Sequence, residues 1–295
     1  MSILIIGASG FVGSLLYEIL TREDKVVGTF YPRQLEVKGL KYLDITDRKS
    51  VEALIKEIKP AVIILTAALT YVEYCEDHPK EAFEINVLGT TNVALMAKEI
   101  NAKLVFFSTE YVFDGKAGPY SEEDQPNPIS YYGKTKLEGE KVIRDNLGDY
   151  LIIRTTVVYG YEKDGKNFIM QLIQKNKAGL IMNVPVDQYG SPTFRDNLVE
   201  ATIELIQKDK RGIYNVVGCE VINRFDFSIL SAEILGLDKN LIIPKTTIEL
   251  GQKAPRPLKA GLKIDKIRQE IDIKLLSPKE GLEILKTQLR GKGIL

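Results

Sequence analysis

The sequence predicts an α/β protein built on a doubly wound parallel sheet, followed by a smaller C-terminal lobe. Three observations predict it. Short apolar runs recur through the first 155 residues without the polar alternation of a half-exposed sheet, as expected of strands covered on both faces. Longer stretches of helical character separate those runs, giving the spacing of βαβ units. A glycine-rich turn stands directly between the first apolar run and the first helix. Right-handed crossovers then put helices on both faces of the sheet.

The elements follow in order. "ILII" (3–6) is the first strand, and a helix starts near Phe11. "KVVGTF" (25–30) is the second strand, followed by the short "KYLDI", a helix from Asp47 and "AVIILT" (61–66). A long helix follows Pro79, where proline suits a first helical turn. "KLVFFST" (103–109) and "YLIIRTTVVYG" (150–160) flank a helix around "SYYGKTKLEGEK" (130–141). Beyond residue 160 the pattern loosens into Pro- and Gly-punctuated loops between shorter helices. The expected division is a dinucleotide-binding domain over 1–160 and a mainly substrate-binding lobe over 161–295, with some segments returning to the core of the first.

Bulk properties exclude several functions. Forty basic residues balance forty acidic ones, so no net field attracts nucleic acid or an anionic membrane. The longest apolar runs are far too short to span a bilayer. "MSILIIGASG" lacks a basic segment before its apolar stretch and reads as a strand, not a signal peptide. Two cysteines and one histidine, His78, offer neither a disulfide framework nor a metal site. No metal and no membrane or nucleic-acid partner is expected, and the expected compartment is the cytoplasm.

"GASGFVG" places Gly7, Gly10 and Gly13 after the first strand and at the start of a helix. Glycine permits the tight turn, the close approach of a pyrophosphate and tight helix–sheet packing. The helix N-terminus then faces the phosphate charge. A lone glycine pattern is weak, but in the first βα turn of a parallel sheet it points to a Rossmann-type dinucleotide site. The second strand ends in "TFYPRQ", with no carboxylate to hold a ribose diol and with Arg33 nearby to meet a 2′-phosphate. NADPH is therefore expected, with NADH as the alternative. Asp44 in "YLDITD" suits either a helix cap or the adenine edge.

A helix stacks Tyr132 above Lys136, whereas Tyr131 stacks above Thr135. A phenol beside a fixed ammonium is expected to have a lowered pKa and to pass a proton near neutral pH. "STEYVFDG" ends the fifth strand, where open α/β sheets bind ligands, and Ser108 or Thr109 can offer a hydroxyl there. Taken singly, these are an ordinary amphipathic helix and an ordinary turn.

Together the pieces resemble the extended short-chain dehydrogenase/reductase superfamily, through Gly7, Gly10, Gly13 and the Tyr132–Lys136 pair. The resemblance narrows to the dTDP-4-dehydrorhamnose reductase family. "STEYVFDG", "GPYSEEDQPNPISYYGKTKLEGEK", "LIIRTTVVYG", "KNF" and "VDQYGSPT" are similar to that family's blocks in order. The resemblance implies Thr109, Tyr132 and Lys136 as catalytic residues, and Tyr131 as packing. It implies cofactor contacts from Ser9, Phe11, Val12, Ile45, Ala67 and Ala68 besides the residues already named. Contacts to the sugar nucleotide are implied for Glu110, Tyr159, Asn167, Asp187, Gln188 and Arg256. Near the C-terminus, "RPLKAGLK" departs from the family pattern at Ala260 and Lys263.

The implied activity is NADPH-dependent reduction of the C4 ketone of a 4-keto-6-deoxy sugar nucleotide, dTDP-4-dehydrorhamnose to dTDP-rhamnose, with a homodimer as the expected assembly. Two rivals share the fold. A nucleotide-sugar epimerase or dehydratase has the same Tyr–Lys pair, but a dehydratase usually adds a carboxylate pair where "STEY" offers only Glu110. A non-catalytic NADP-binding subunit, like the β subunit of methionine adenosyltransferase, also keeps the pair but diverges at the "VDQYGSPT" block.

Overall fold

The computed structural model describes residues 1–32 and 37–295, so Arg33 lies outside the described residues. Seven strands form the main sheet: β1 Ser2–Ile6, β2 Lys25–Phe30, β3 Lys41–Tyr42, β4 Val62–Leu65, β5 Lys103–Thr109, β6 Tyr150–Thr155 and β7 Gly212–Asn215. Their order is β7-β6-β5-β4-β1-β2-β3. The pairs β1–β2, β1–β4, β2–β3 and β4–β5 are parallel. Chain order reverses between β1 and β4, which sets the ligand crevice of a doubly wound sheet at their C-terminal ends. The expected fold class is the observed one.

The helices that position the site are α1 Phe11–Leu20, α2 Arg48–Ile58, α3 Val72–Asp77, α4 Pro79–Phe83, α5 Thr90–Glu99 and α6 Tyr131–Asn146. Leu4, Ile63, Leu104, Phe106 and Ile152 of the sheet pack against Val51 and Ile55 of α2, Val93 and Ala97 of α5, and Ile143 of α6. Burying each such side chain contributes about 1.5–3 kcal/mol, so the layer is fixed by its apolar runs. No helix among the described residues is long and apolar enough to cross a membrane.

Two compact units make up the chain. The first comprises residues 1–112, 130–154 and 206–214, and the second comprises 113–129, 155–205 and 215–295. The second contains α7 Phe168–Lys177, most of α8 Arg195–Gln207, α9 Arg224–Leu235 and the helix Pro278–Gly291, with three two-stranded sheets. Its core joins Tyr159, Ile169 and Ile173 to Phe194, Phe227, Leu282 and Leu285.

Three local departures from the sequence expectations are seen. "YLIIRTTVVYG" is not one strand, because Val157 adopts a left-handed φ of 44° and breaks it before the short strand Val158–Tyr159. That region is unfavourable for a β-branched residue. The long helix after Pro79 is interrupted by a π-helical turn over Glu84–Gly89. There the Asn86 side chain bonds to the backbone N–H and C=O of Leu69. Finally, "KYLDI" pairs only over Lys41–Tyr42.

Candidate active site

The glycine turn closes the C-terminal end of β1. Gly7 has φ +96°, and a Cβ there would meet Ala67 N and Thr66 Oγ1 at 2.7 Å. A Cβ on Gly13 would lie 2.2 Å from Gly7 O, so α1 rests directly on the turn. Any side chain at these positions would force the two apart. Helix α1 has no side-chain N-cap bond and no acidic residue in its first turn. Its leading N–H groups are thus suited to an anion.

A cleft of about 460 Å³ opens beside this turn. Among the expected cofactor residues, Gly7, Ser9, Gly10, Asp44, Ile45, Ala67 and Ala68 line it, while Phe11, Val12 and Gly13 begin α1. Asp44 does not cap α2. Asp47 does, accepting from Lys49 N, and Asp44 Oδ1 instead accepts from the backbone and hydroxyl of Thr46. Asp44 therefore does not serve as the helix cap and lines the cleft. Size, close-packed glycines and uncapped helix end all fit a dinucleotide.

Helix α6 presents the second constellation. Ser130 caps it by accepting from Gly133 N at 3.1 Å, an arrangement worth about 1 kcal/mol. Gly139 allows close packing: a Cβ would meet Phe106 at 3.1 Å and Asn86 O at 3.3 Å. Tyr132 and Lys136 consequently sit on the inner face, 8% and 2% exposed. Thr109 at the end of β5 is also buried, and its hydroxyl accepts from Tyr111 N at 3.2 Å. Tyr131 is half-buried and packs in the small cluster around Cys75 and Ala82, while its N–H donates to Glu76.

The electrostatics differ from the sequence expectation. Burial pushes the Tyr132 phenol well above its ordinary value, and the nearby Thr109 side chain opposes that shift. Burial also pulls the Lys136 ammonium down to about 7, opposed by the Glu140 carboxylate. The Lys136 Nζ lies 3.9 Å from the centre of the Phe106 ring. Desolvation, which disfavours either charged form, outweighs the one-turn proximity that the spacing suggested. Glu110 begins the short helical turn after β5 and is buried.

In the second unit, several residues expected to contact the sugar nucleotide make hydrogen bonds within the protein. Tyr159 is fully buried in that unit's core, donating to Pro278 O at 3.2 Å, with Gly281 against its hydroxyl. It has no face left for a ligand, because its ring fills the gap that Gly281 opens. Asn167 caps α7: Oδ1 accepts from Met170 N, and Nδ2 donates to Gly160 O. Asp187 accepts from Thr247 N and from its hydroxyl at 2.7 Å. Gln188 donates to Thr247 Oγ1 at 3.0 Å and to Gln252 Oε1 at 2.6 Å. Both residues thus hold the turn around the helix Thr247–Leu250. Arg256 is half-buried, beside Pro257, which packs against Gly115.

Sequence reasoning passed over two polar groups of the first unit. Asn86, 1% exposed, also donates to Thr135 Oγ1 at 3.1 Å, joining the segment after β4 to α6. Glu140 and Arg154 form a two-pronged buried ion pair, Nε to Oε1 at 3.0 Å and an η nitrogen to Oε2 at 2.7 Å. Ser108 donates to the same carboxylate. Glu140 follows Lys136 by four residues, a signal that extending the Tyr–Lys stripe by one turn would have found.

The profile of the RmlD substrate binding domain family matches residues 1–290. The chain is 32% identical to dTDP-4-dehydrorhamnose reductase of Aggregatibacter actinomycetemcomitans, over 92% of this chain and 93% of that one. It is also 32% identical to methionine adenosyltransferase 2 subunit beta of Xenopus tropicalis, over 90% of this chain and 81% of that one. The crystal structure of dTDP-4-dehydrorhamnose reductase from Bacillus anthracis in complex with NADP superposes with a TM-score of 0.89 at 32% identity, covering 97% of this chain and 99% of that one. A glycine-turn cleft, a buried Tyr–Lys helix and a match that runs nearly end to end agree: the chain belongs to the RmlD substrate binding domain family.

Proposed function

We propose that the protein is a cytoplasmic NADPH-dependent reductase of the C4 ketone of a 4-keto-6-deoxy sugar nucleotide, dTDP-4-dehydrorhamnose to dTDP-rhamnose. The observation that carries it is the buried face of α6 that bears Tyr132 and Lys136, together with the buried Thr109 hydroxyl at the end of β5. When bound, the reduced nicotinamide supplies the hydride. The phenol of Tyr132, kept protonated by burial, gives its proton to the oxygen that becomes the C4 hydroxyl. Thr109 hydrogen-bonds the same oxygen and favours the developing negative charge. Lys136 holds the ribose beside the nicotinamide and, as an ammonium, replenishes the positive field behind Tyr132.

In this reading Gly7, Ser9, Gly10 and the start of α1 hold the pyrophosphate, Asp44 and Ile45 meet the adenosine, and Ala67 and Ala68 flank it. Arg33 is the proposed partner of a 2′-phosphate. Glu110 and Arg256 are the proposed contacts to the sugar nucleotide, with Asn167, Asp187 and Gln188 shaping the loops around it. The family and the NADP-bound relative support the cofactor and the reaction.

The test incubates purified protein with NADPH and a panel of 4-keto-6-deoxy sugar nucleotides and follows cofactor oxidation by absorbance. Turnover with dTDP-4-dehydrorhamnose is the expected result. The methionine adenosyltransferase relative supports a second reading, a cofactor-binding regulatory subunit. Protein that binds NADPH tightly but reduces no member of the panel would favour it.

A further inference from the structure

Tyr31 is the first residue after β2 and lines the cleft beside the glycine turn. Neither the glycine pattern nor the Tyr–Lys pair accounts for it. Its side chain is 54% exposed, yet its ring is held. Phe30 and Tyr42 are register partners on β2 and β3, and their rings meet edge to face at 5.9 Å and 71°. Tyr31 in turn lies nearly parallel to Tyr42, with ring centres 6.2 Å apart and planes 30° apart. Both spacings fall in the range over which aromatic pairs attract, roughly 4.5–7 Å. Phe30 is buried, so this row of three rings is anchored in the sheet and ends in the open at the cleft.

The rest of the cleft wall suits a flat, neutral ring. Leu43 and Ile45 follow β3, Leu69 follows β4, and Ile85 stands in the π-helical turn. Asp44, Glu81 and Glu84 share these walls, and a carboxylate accepts from an exocyclic amine such as adenine carries. In a doubly wound sheet the pyrophosphate sits at the N-terminus of the first helix, and the adenosine reaches the end of the second strand. We propose that Tyr31 is the stacking platform for the adenine of the dinucleotide, backed by Tyr42 and Phe30. The face of the ring makes the contact, not its hydroxyl. A base attracts an aromatic face through its own π system and needs no matched donor. The stack on Tyr42 restricts the Tyr31 ring before the base arrives, so less side-chain freedom is lost on binding.

This inference rests on the dinucleotide reading of the cleft, and its test reads binding without turnover. The full chain would be titrated calorimetrically with NADPH and with 2′,5′-ADP, the adenosine half of that cofactor. Tyr31→Leu keeps apolar bulk and removes the π face, so both ligands should bind about tenfold more weakly. Tyr31→Phe keeps the face and should stay within about twofold of wild type. Tyr42→Leu withdraws the backing and should lose less than Tyr31→Leu. Melting temperatures should not move in the Tyr31 variants, since the side chain is more than half exposed. NMR supplies a signature of stacking itself. The adenine H2 and H8 resonances of bound 2′,5′-ADP should shift upfield with wild type and Tyr31→Phe, and that shift should vanish with Tyr31→Leu. Wild-type affinity in Tyr31→Leu with the upfield shift intact overturns the platform and leaves the dinucleotide reading standing. A loss in Tyr31→Phe as large as that in Tyr31→Leu overturns it too, by assigning the contact to the hydroxyl. Wild-type protein that binds neither NADPH nor 2′,5′-ADP overturns the dinucleotide reading itself.

Discussion

The polar residues of α6 and those of the loops in the second unit carry similar sequence signals and have different structural fates. On α6, Tyr132 and Lys136 are buried on one face, and among the described residues no backbone hydrogen bond takes their side-chain ends. In the second unit, Tyr159, Asn167, Asp187 and Gln188 each bond to a named partner within that unit. A regular helix fixes side-chain direction by spacing alone, so a motif on it can be read at a distance. A loop residue's direction depends on what its own backbone needs, and there the first claim on an Asn, Asp or Gln is often an orphan N–H.

The largest expected effect tests the α6 side of this contrast. Tyr132→Phe removes the proton donor and keeps the ring, so kcat should fall by roughly two to four orders of magnitude. NADPH affinity, followed by fluorescence titration, should change little. Tyr131→Phe should leave both nearly unaltered, since that ring serves packing. Equal losses from the two tyrosines would mean that helical direction does not separate them.

Next comes Tyr159→Ala, which tests the other side. The ring fills the second unit's core against Phe194 and Phe227. Its removal should cost about 3–5 kcal/mol of stability by denaturant unfolding. A stable variant with a raised KM would return Tyr159 to the ligand. Asn167→Ala should cost about 1 kcal/mol through loss of the α7 cap, and Asn167→Ser, which can also cap, should restore most of it. Cofactor affinity is expected to stay constant in both.

The smallest effect belongs to Asp187→Asn. The amide oxygen can still accept from Thr247, so melting should shift by less than the equivalent of about 1 kcal/mol. Asp187→Ala should loosen the turn that Gln188 also holds, seen as faster amide exchange at Thr247 and Gln252. Protection unchanged in Asp187→Ala would show that the bracket does not order the turn, and would blur the contrast with α6.

Part of this protein is determined locally. The apolar runs at residues 3–6, 25–30, 62–65 and 103–109 become buried parallel strands because no other element hides every side chain of an unbroken run. Glycines at 7, 10 and 13 force the turn under α1, whereas Tyr131–Thr135 and Tyr132–Lys136 share one spacing, so only the family resemblance singled out Tyr132. Tertiary structure decided the rest. The return of Gly212–Asn215 to the sheet edge is too short to be read from its own residues. The break at Val157 and the π-helical turn at Asn86 go against local preference, and distant partners meet them: Thr193 N donates to Val157 O, and Leu69 N to Asn86 Oδ1. Lys136 carries a lowered pKa because burial is a property of the packed layer, and no spacing along the chain reports how much water that packing removes.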